Sequence, residues 1–404
     1  MDIKALFEDL YQEMDLELEN ILEFWSLQTI DNRFGGFIGQ INNQGEKNIL
    51  SSKGTVLNAR ILWTFSAAYN LVGSEKLEKL ATRAYNYLTR YFWDMKNGGL
   101  FWEVDHEGKP LNTRKQAYAQ GFGIYAFSEY YLATGNEESL QYAIRLFNLL
   151  EDHFYDPEHG GYLEALDQEW NRLDDMRLSK KDVNAPKSMN THLHILEPYT
   201  NLYRAWPEDR LKESIQHVIG IFLEKIIDKK TKHLNLFFDM DWTCKSDTIS
   251  FGHSIEGAWL LREAALEAGD EQVLNKVQKA AVGLADAVLS GGTDKDGSIF
   301  YEYENEHLDT DKHWWAQAEA IVGLTDAWEI TGDHVYLEAM KKVWSFIKEN
   351  IIDYENGEWF GRVDKNGIPY ESEDKVGFWK CPYHNTRAMI EMLRRIRNYR
   401  EATI

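Results

Sequence analysis

The sequence is poor in the features that mark disulfide-bonded, membrane-spanning or multidomain proteins. It has two cysteines, Cys244 and Cys381, and 7 prolines in 404 residues. Two cysteines make no disulfide framework, and no apolar run reaches the roughly 18 residues of a membrane-spanning helix. No Pro-rich, Gly/Ser-rich or low-complexity stretch separates one part of the chain from another. We therefore expect one large domain over residues 1–404 and no membrane partner.

Positive charge is also scarce. Lysine and arginine total 44 against 66 aspartates and glutamates, which gives a formal net charge of −22. This charge repels a phosphate backbone and argues against nucleic acid, so a neutral or cationic ligand is the expected partner. Residues 1–20 are acidic and amphipathic rather than a signal peptide, and the sequence predicts a cytoplasmic protein.

Aromatic residues, by contrast, are abundant, with 14 Trp and 21 Tyr. Most of them are expected to fill the core. Aromatic rings also line sugar-binding clefts, because a pyranose presents apolar C–H faces that stack on them. The composition is therefore compatible with a carbohydrate ligand.

A short phrase recurs six times along the chain. It begins with Asp, continues with turn residues that often include Gly, and ends in an aromatic-rich stretch with the alternation of a strand. The phrases begin at Asp31, Asp94, Asp156, Asp228, Asp294 and Asp353, at intervals of 63, 62, 72, 66 and 59 residues. A near-constant period of this length indicates a repeated supersecondary unit.

Between these phrases lie segments with apolar residues at i, i+3, i+4 and i+7, which is the spacing of an amphipathic helix. Short breaks with a Gly and a capping residue, such as Gly73 before Ser74 and Gly135 before Asn136, divide the segments into antiparallel helical hairpins. The sequence predicts twelve helices, over residues 1–27, 54–72, 75–92, 114–134, 137–154, 189–206, 208–227, 252–268, 271–289, 313–331, 334–351 and 382–401.

The two helices of a pair differ in character. The first, as at 114–134, is apolar around most of its circumference, whereas the second, as at 75–92, has one charged face. This difference is typical of inner and outer helices. The segments 1–27 and 382–401 have no partner next to them in the chain, so they are expected to complete each other and close a ring. The predicted fold is all-α, an (α/α)6 barrel of twelve helices with short β-hairpins at one end.

The inner helices of such a barrel run in the same direction, so their N-terminal turns meet at one mouth. His192 and His194 lie two positions apart and point to opposite sides, so one of them faces inward. Each polar residue alone has an ordinary explanation as a cap or a core residue, but their recurrence in six repeats favours a functional mouth. The positive ends of the helix dipoles suit a ligand that develops negative charge. The residues expected there are Asn58, Arg60, Tyr118, Gln120, Asn190, His194, His253, Glu256, Trp314, Trp315, Glu319, Trp379, Tyr383, His384 and Asn385.

Three histidines and an arginine favour proton abstraction beside a carbonyl. Histidine gives and takes protons near neutral pH, and arginine stabilises an enediolate oxygen without titrating. A glycosidase would need two opposed carboxylates, and the mouth offers Glu256, Glu319 and Asp182. A zinc site ranks third, because the sequence has no HEXXH or comparable signature.

Four runs of the sequence resemble the cellobiose 2-epimerases of the N-acylglucosamine 2-epimerase superfamily. They are NAPKSMNTHLHILEPYTNLYR at 184–204, FGHSIEGAWLL at 251–261, HWWAQAEA at 313–320 and WKCPYHNTR at 379–387. The resemblance extends from about Phe24 to Arg394. It implies an (α/α)6 barrel that reversibly converts the reducing-end glucose of β-1,4 disaccharides such as cellobiose, lactose and mannobiose to mannose, with no cofactor and no metal.

The resemblance also implies roles for individual residues. His384 and His253 would be the acid/base pair at C2, His194 would assist ring opening, and Arg60 would hold the enediolate oxygen. Glu256 would orient His253. The residues implied to bind substrate are Tyr118, Asp182, Asn190, Glu256, Trp314, Trp315, Glu319 and Trp379.

Several alternatives stay open from the sequence. An N-acylglucosamine or mannose/glucose epimerase-isomerase would act on a monosaccharide, an aldose–ketose isomerase would return the proton to C1, and a glycan-binding protein would not turn its ligand over. For the assembly, we expect a monomer or a weak homo-oligomer.

Overall fold

The predicted helices are present in the computed structural model, which describes residues 2–402. Their bounds are α1 Ile3–Gln28, α2 Thr55–Val72, α3 Glu75–Tyr87, α4 Ala117–Thr134, α5 Glu137–Leu149, α6 Met189–Ala205, α7 Asp209–Ile221, α8 Phe251–Ala268, α9 Glu271–Gly291, α10 Trp314–Thr331, α11 His334–Phe346 and α12 Tyr383–Ala402. The predicted helix start at residue 1 lies outside the described residues.

The helices form a closed double ring. The inner helices α2, α4, α6, α8, α10 and α12 each pack against the next, and α12 packs against α2. The outer helices α3, α5, α7, α9 and α11 pack on their chain neighbours, and α1 packs on α12 across the junction of the two ends. The predicted (α/α)6 class is therefore confirmed. The single domain over residues 1–404 stays a prediction, and its residues 1, 403 and 404 lie outside the described part.

Burial follows the difference between inner and outer helices. In α4 every residue from Ala117 to Tyr130 is buried, whereas α3 buries the stripe Leu77, Leu80, Ala81 and Ala84. An i, i+3, i+4, i+7 stripe covers one face of a helix, as an outer layer requires. Within the hairpins, α2 and α4 end at left-handed glycines, as the predicted breaks imply. Among the helices of residues 2–402, none combines the length and apolar content needed to cross a bilayer.

Four outer helices end differently from the sequence prediction, in a five-residue π-helical turn rather than a continuous α-helix. These turns follow α3, α5, α7 and α11 and cover Leu88–Phe92, Leu150–Phe154, Phe222–Ile226 and Ile347–Ile351. The first and last residue of each turn are buried. Each turn therefore buries two apolar side chains and ends two residues before the Asp that begins the next phrase.

Short antiparallel strands line the end of the ring where the inner helices begin. Their bounds are β1 Ile41–Asn42, β2 Lys53–Gly54, β3 Glu103–Val104, β4 Pro110–Asn112, β5 Lys115–Gln116, β6 Ala165–Leu166, β7 Lys187–Ser188, β8 Phe237–Phe238, β9 Ile249–Ser250, β10 Glu302–Glu304, β11 His307–Asp309, β12 Lys312–His313, β13 Arg362–Val363 and β14 Asp374–Val376. They form small sheets of the orders β1-β14, β2-β3-β4, β5-β6, β7-β8, β11-β10-β9 and β12-β13. Ile41 pairs with Val376, so the first and last repeats are joined here too.

In most repeats, a buried ion pair joins the Asp that begins the phrase to a Lys in the strand before the next inner helix. In the first repeat, Lys53 Nζ lies 2.8 Å from Asp31 Oδ2 and donates to the Gly35 carbonyl at 2.8 Å. The side chains of this pair are 1% and 2% exposed. The same pairing recurs as Lys115–Asp94, Lys187–Asp156, Lys312–Asp294 and Lys375–Asp353. The sequence pattern did not predict these pairs, four of which, at Lys53, Lys115, Lys187 and Lys312, lie two residues before the start of an inner helix.

Candidate active site

The inner helices carry their site residues at a shared position. One turn into most of these helices, a polar side chain bonds to the preceding phrase: in α4, Gln120 Oε1 accepts from the Leu100 N–H at 2.7 Å. In α6, His192 Nε2 accepts from the Tyr162 N–H at 2.9 Å. Two positions later the side chain turns to the axis of the ring. His192 and His194 therefore point to opposite sides, as predicted, although both are buried. The residues at the axial position are Arg60, Phe122, His194, Glu256, Glu319 and Arg387.

A kink in α6 lies at His194. Pro198 has no N–H, so it leaves the His194 carbonyl four residues earlier without its helical hydrogen bond. His194 has the non-helical dihedral angles φ −89° and ψ 16°. The freed carbonyl lies against Gly121 of α4, where an added Cβ would be 2.2 Å from the His194 oxygen. The contact thus requires glycine, and it sets α4 against α6 at the level of the site.

A continuous chain of hydrogen bonds joins two of the predicted catalytic histidines across the barrel. His194 Nδ1 lies 3.0 Å from Glu197 Oε2, and His384 Nδ1 lies 2.6 Å from Glu319 Oε1. Between them, Arg387 Nη1 donates to Glu197 Oε1, and Nη2 donates to Glu319 Oε1 at 2.6 Å. All five side chains are buried. Residues from α6, α10 and α12 therefore hold two imidazoles in one network.

Three carboxylates share the charge of Arg387. Its Nη2 also donates to Glu256 Oε1 at 2.6 Å, and Trp259 Nε1 donates to Glu319 Oε2 at 3.0 Å. Burial raises the pKa of Glu197, but the charge of Arg387 and the hydrogen bonds from His194 and Tyr383 together outweigh it and hold that pKa at about 2. Burial also raises the pKa of Glu256 and of Glu319, and there the opposing charge of Arg387 does not prevail. Glu197 is therefore ionised at neutral pH, while the other two take up protons more readily than exposed glutamates.

Arg60 lies beside this network near the start of α2. Its Nη2 donates to Tyr118 Oη at 2.9 Å, and its Nη1 lies 3.6 Å from Cys381 Sγ. The guanidinium carbon lies 4.3 Å from the centre of the Phe122 ring. Its Nε has no hydrogen-bond partner among the described residues, and the residue is 3% exposed. A buried guanidinium with a free N–H suits an oxygen that carries developing negative charge.

Ser250, not Glu256, holds His253. The Nδ1 of His253 lies 2.8 Å from Ser250 Oγ, at the start of α8. Glu256, which we expected to orient this histidine, bonds instead to Arg387 on the axis. The expectation failed because an i, i+3 spacing does not decide which neighbour a helical side chain bonds when a stronger charge partner faces it from another helix.

Trp315 connects His253 to the rest of the site. Its ring centroid lies 4.6 Å from that of His253 and 5.8 Å from that of His384. Burial lowers the pKa of His194, His253 and His384, and the charge of Arg60 adds to this in each case. The three imidazoles are therefore neutral at pH 7. Since each Nδ1 is bonded to a neighbouring oxygen, Nε2 is the nitrogen left for a substrate.

Other residues predicted to bind substrate surround this centre. The ring of Tyr118 meets that of His194 edge-on with centroids 5.0 Å apart, and Trp379 lies 5.9 Å from Tyr118. Trp314 lies edge-on to His384 at 6.2 Å. The structure thus brings aromatic rings from α4, α10 and the loop before α12 to one mouth.

Asn190 and Asp182 lie further towards the rim. The Oδ1 of Asn190, the second residue of α6, is buried without a hydrogen-bond partner among the described residues. Asp182 is in the loop between β6 and β7, where its Oδ2 accepts from the Ser179 N–H at 2.8 Å and burial raises its pKa. Both side chains have acceptor capacity left for sugar hydroxyls.

Arg387 and Glu197 belong to the site but were not predicted. Each follows a predicted histidine by three positions, Arg387 after His384 and Glu197 after His194. Residues three apart share a helix face. A charged residue at that spacing in an otherwise apolar inner helix was the available signal. Ser250 had none, because a serine directly before a helix is common as a cap.

Glu256, Glu319 and His384 are the one group among residues 2–402 whose ligand atoms could hold a metal ion, all within 4.8 Å of one another. The Nη2 of Arg387 bonds to both of these glutamates. A guanidinium therefore already supplies the positive charge that a metal would bring, and we assign no metal here.

Residues 36–388 match the model of the N-acylglucosamine 2-epimerase (GlcNAc 2-epimerase) family. The chain is 48% identical over 389 residues to a cellobiose 2-epimerase of Bacteroides fragilis, covering 96% of this chain and 99% of that protein. It is 36% identical over 397 residues to a cellobiose 2-epimerase of Dictyoglomus turgidum, covering 98% and 100%. The solved structure of cellobiose 2-epimerase from Bacillus thermoamylovorans superposes with a TM-score of 0.92 at 39% identity, covering 96% of this chain and 100% of that chain. The similarity therefore includes every helix that contributes to the site.

Proposed function

The chain belongs to the N-acylglucosamine 2-epimerase family, and from that premise we propose that it reversibly epimerises C2 of the reducing-end glucose of β-1,4-linked disaccharides to mannose. The proposed substrates are cellobiose, lactose and mannobiose. One observation carries the proposal. In a chain this similar to cellobiose 2-epimerases, three neutral imidazoles, each with one free nitrogen, lie beside a buried guanidinium.

Proton transfer at C2 is the central step. The sugar ring opens with the help of His194 and gives an aldehyde at C1, which acidifies the C2–H bond. One of His253 and His384 takes this proton at Nε2, and the electron pair of the C–H bond forms the C1–C2 double bond of a cis-enediolate. After rotation about C2–C3, a histidine of this pair returns a proton to the opposite face of C2. The ring then closes, and only the configuration at C2 has changed.

Arg60 stabilises the enediolate in this scheme. Its guanidinium stays charged throughout, and its contacts with Tyr118 and Cys381 hold it in place. A fixed donor placed where negative charge develops lowers the barrier, because no solvent has to reorganise during the step. The converging N-terminal ends of the inner helices act in the same direction.

The aromatic residues bind the sugars. Trp315, between the two acid/base histidines, is placed to stack on the reacting ring, with Tyr118 and Asn190 bonding its hydroxyls. Trp314, Glu319, Glu256, Asp182 and Trp379 complete the proposed binding residues. Trp379 and Asp182, nearer the rim, suit the second sugar of a disaccharide.

The test is direct. Purified protein incubated with cellobiose is expected to form glucosyl-mannose, followed by NMR, and product formed in D₂O is expected to carry deuterium at C2. Activity is expected to persist in EDTA, because the steps use side chains alone. Release of free glucose would point to a glycosidase, and binding without turnover to a glycan-binding protein.

Substitution tests the assignment of the histidines. General acid–base catalysis contributes about 10²–10⁴-fold, so His384→Ala and His253→Ala are each expected to lose at least that much activity while remaining folded. Near-full epimerisation by either variant would refute its role.

Parallel assays separate the related activities. Cellobiose is expected to react faster than mannose or N-acetylmannosamine. The reverse order would favour a monosaccharide epimerase, and a ketose as the main product would favour an isomerase.

A further inference from the structure

Arg387 is the residue to which the carboxylates of the site are bonded, and the mechanism above does not use it. It is 2% exposed, and its two terminal nitrogens bond Glu197, Glu256 and Glu319 from three other helices. Two of these glutamates are also the partners of histidine Nδ1 atoms. The guanidinium of Arg387 is therefore connected to both His194 and His384, in each case through one glutamate.

We propose that Arg387 is a positioning residue that, through Glu319 and Glu197, keeps the Nδ1 atoms of His384 and His194 hydrogen-bonded so that their Nε2 atoms stay unprotonated towards the sugar. The expected effect on kcat rests on the proposed function, whereas the protonation of the two histidines can be tested without a substrate.

The ionisation state of Glu319 decides which nitrogen of His384 carries the proton. An ionised carboxylate accepts a hydrogen bond, so it holds His384 with its proton on Nδ1. A protonated carboxyl would donate instead, and His384 would then carry its proton on Nε2, where it cannot accept one from C2. Burial favours the protonated form of Glu319, and Arg387 is the charge that opposes burial. Arg387 Nη2 donates to one oxygen of Glu319 and Trp259 Nε1 to the other, and both bonds favour the ionised form that keeps the His384 proton on Nδ1.

The geometry requires arginine rather than lysine. The planar fork reaches Glu197 through Nη1 and the other two carboxylates through Nη2. The rings of Tyr383 and Trp259 lie 4.4 and 4.8 Å from the guanidinium carbon and fix its plane. A single ammonium group on a flexible stem cannot hold three carboxylates in this arrangement.

The charges around His384 come from every neighbouring inner helix. They are Arg60 of α2, His194 and Glu197 of α6, Glu256 of α8, Glu319 of α10 and Arg387 of α12. Arg60 and Arg387 oppose protonation of the imidazole, and Glu197 favours it. Loss of Arg387 leaves the carboxylates without their partner, so both His384 and Glu319 take up protons at higher pH.

Arg387→Met and Arg387→Lys test this, with Arg395→Met and Arg395→Lys as matched controls. Arg395 is on the same helix and bonds two carboxylates of α10, Asp326 and Glu329, but it contacts none of the histidines. For cellobiose epimerisation, Arg387→Met is expected to lose about 10²-fold or more in kcat with a smaller change in KM, as for a misplaced or wrongly protonated base. The acid limb of its kcat–pH profile is expected to move to higher pH. Arg387→Lys keeps the charge, so it is expected to lose kcat with less movement of that limb.

The following results would overturn the positioning role of Arg387. A folded Arg387→Met with kcat within about threefold of the wild type and an unmoved acid limb overturns the proposal. The same loss in the Arg395 variants overturns it too, because the effect would then be structural. If Arg387→Met does not fold, Arg387→Lys decides by the same threefold criterion. Independently of any substrate, ¹⁵N NMR of the wild-type protein is expected to show His384 protonated at Nδ1, and protonation at Nε2 would refute the inference. If the wild-type protein did not epimerise cellobiose, the proposed reaction would be wrong, but the assignment of the proton to His384 Nδ1 would still stand.

Discussion

Replacing Gly121 by alanine tests whether the contact between α4 and α6 places His194. In an isolated helix this change would be favourable by about 1 kcal/mol. In the protein the new Cβ would lie 2.2 Å from the His194 carbonyl oxygen, whereas ordinary contact begins near 3.4 Å. The backbone of one helix must therefore shift by roughly 1.2 Å, the difference between these distances, because a carbonyl cannot rotate away as a side chain does.

A shift of this size at a catalytic side chain costs about 10²-fold in rate, and overpacking costs about 1–3 kcal/mol of stability. We expect Gly121→Ala to lose about 10²-fold in kcat on cellobiose, measured by NMR of the product. The free energy of unfolding from urea titration is expected to fall by about 1–3 kcal/mol.

Two further glycines provide controls. At Gly123, also on α4, a Cβ would meet Leu100 Cδ1 at 2.5 Å and Leu146 Cδ1 at 2.7 Å, both side-chain ends away from the site. Gly123→Ala is therefore expected to lose stability without comparable loss of kcat. At Gly283 in α9 the nearest atom is 3.9 Å away, and Gly283→Ala is expected to stabilise by about 0.5–1 kcal/mol. A folded Gly121→Ala that keeps kcat within about threefold would refute the reasoning.

Three more predictions follow from the contacts and charges of the site and the ring. Ser250→Ala removes the partner of His253 Nδ1 and is expected to lower kcat about tenfold without unfolding, so unchanged kinetics would contradict the orienting role. The pKa values of the three site histidines lie below 6.5, so kcat/KM is expected to hold as the pH falls to 6.5 and to decline only below it, as the imidazoles take up protons; a midpoint at or above 6.5 would be inconsistent with their burial. Lys187→Met removes the lysine charge from the buried Asp156 and is expected to cost about 3 kcal/mol of unfolding free energy, whereas Lys79→Met, in an exposed pair, is expected to change it by under about 0.5 kcal/mol; equal effects in urea titrations would contradict this.

Local patterns were sufficient for the helices and for the axial position of many site residues. The apolar spacing predicted that α4 begins at residue 114, and in the structure it begins at Ala117. The difference is only three residues because the apolar positions of an inner helix and its Gly135 cap are local features of the sequence. The same spacing showed that His192 and His194 face opposite ways. Where the direction of a side chain depended on one helix alone, as for these two histidines, the spacing predicted it.

Local sequence patterns did not predict which side chains bond to each other from different helices of the ring. The bond from Arg387 to Glu197 joins residues 190 positions apart, and nothing near either of them indicates the other. The assignment of Glu256 to His253 failed for the same reason, since the stronger partner lies 131 positions away on α12. The π-helical turns also escaped prediction, because their apolar spacing continues that of the helices before them.

Within residues 2–402, the sequence alone determined the twelve helices, which of them are inner, and that His192 and His194 turn to opposite sides, because hydrophobic period and capping act over a few residues. Tertiary structure alone decided which carboxylate holds which histidine, and so which nitrogen faces the substrate. That choice depends on electrostatic competition inside a closed ring, where Arg387 from the last helix is shared among three carboxylates brought together only by closure.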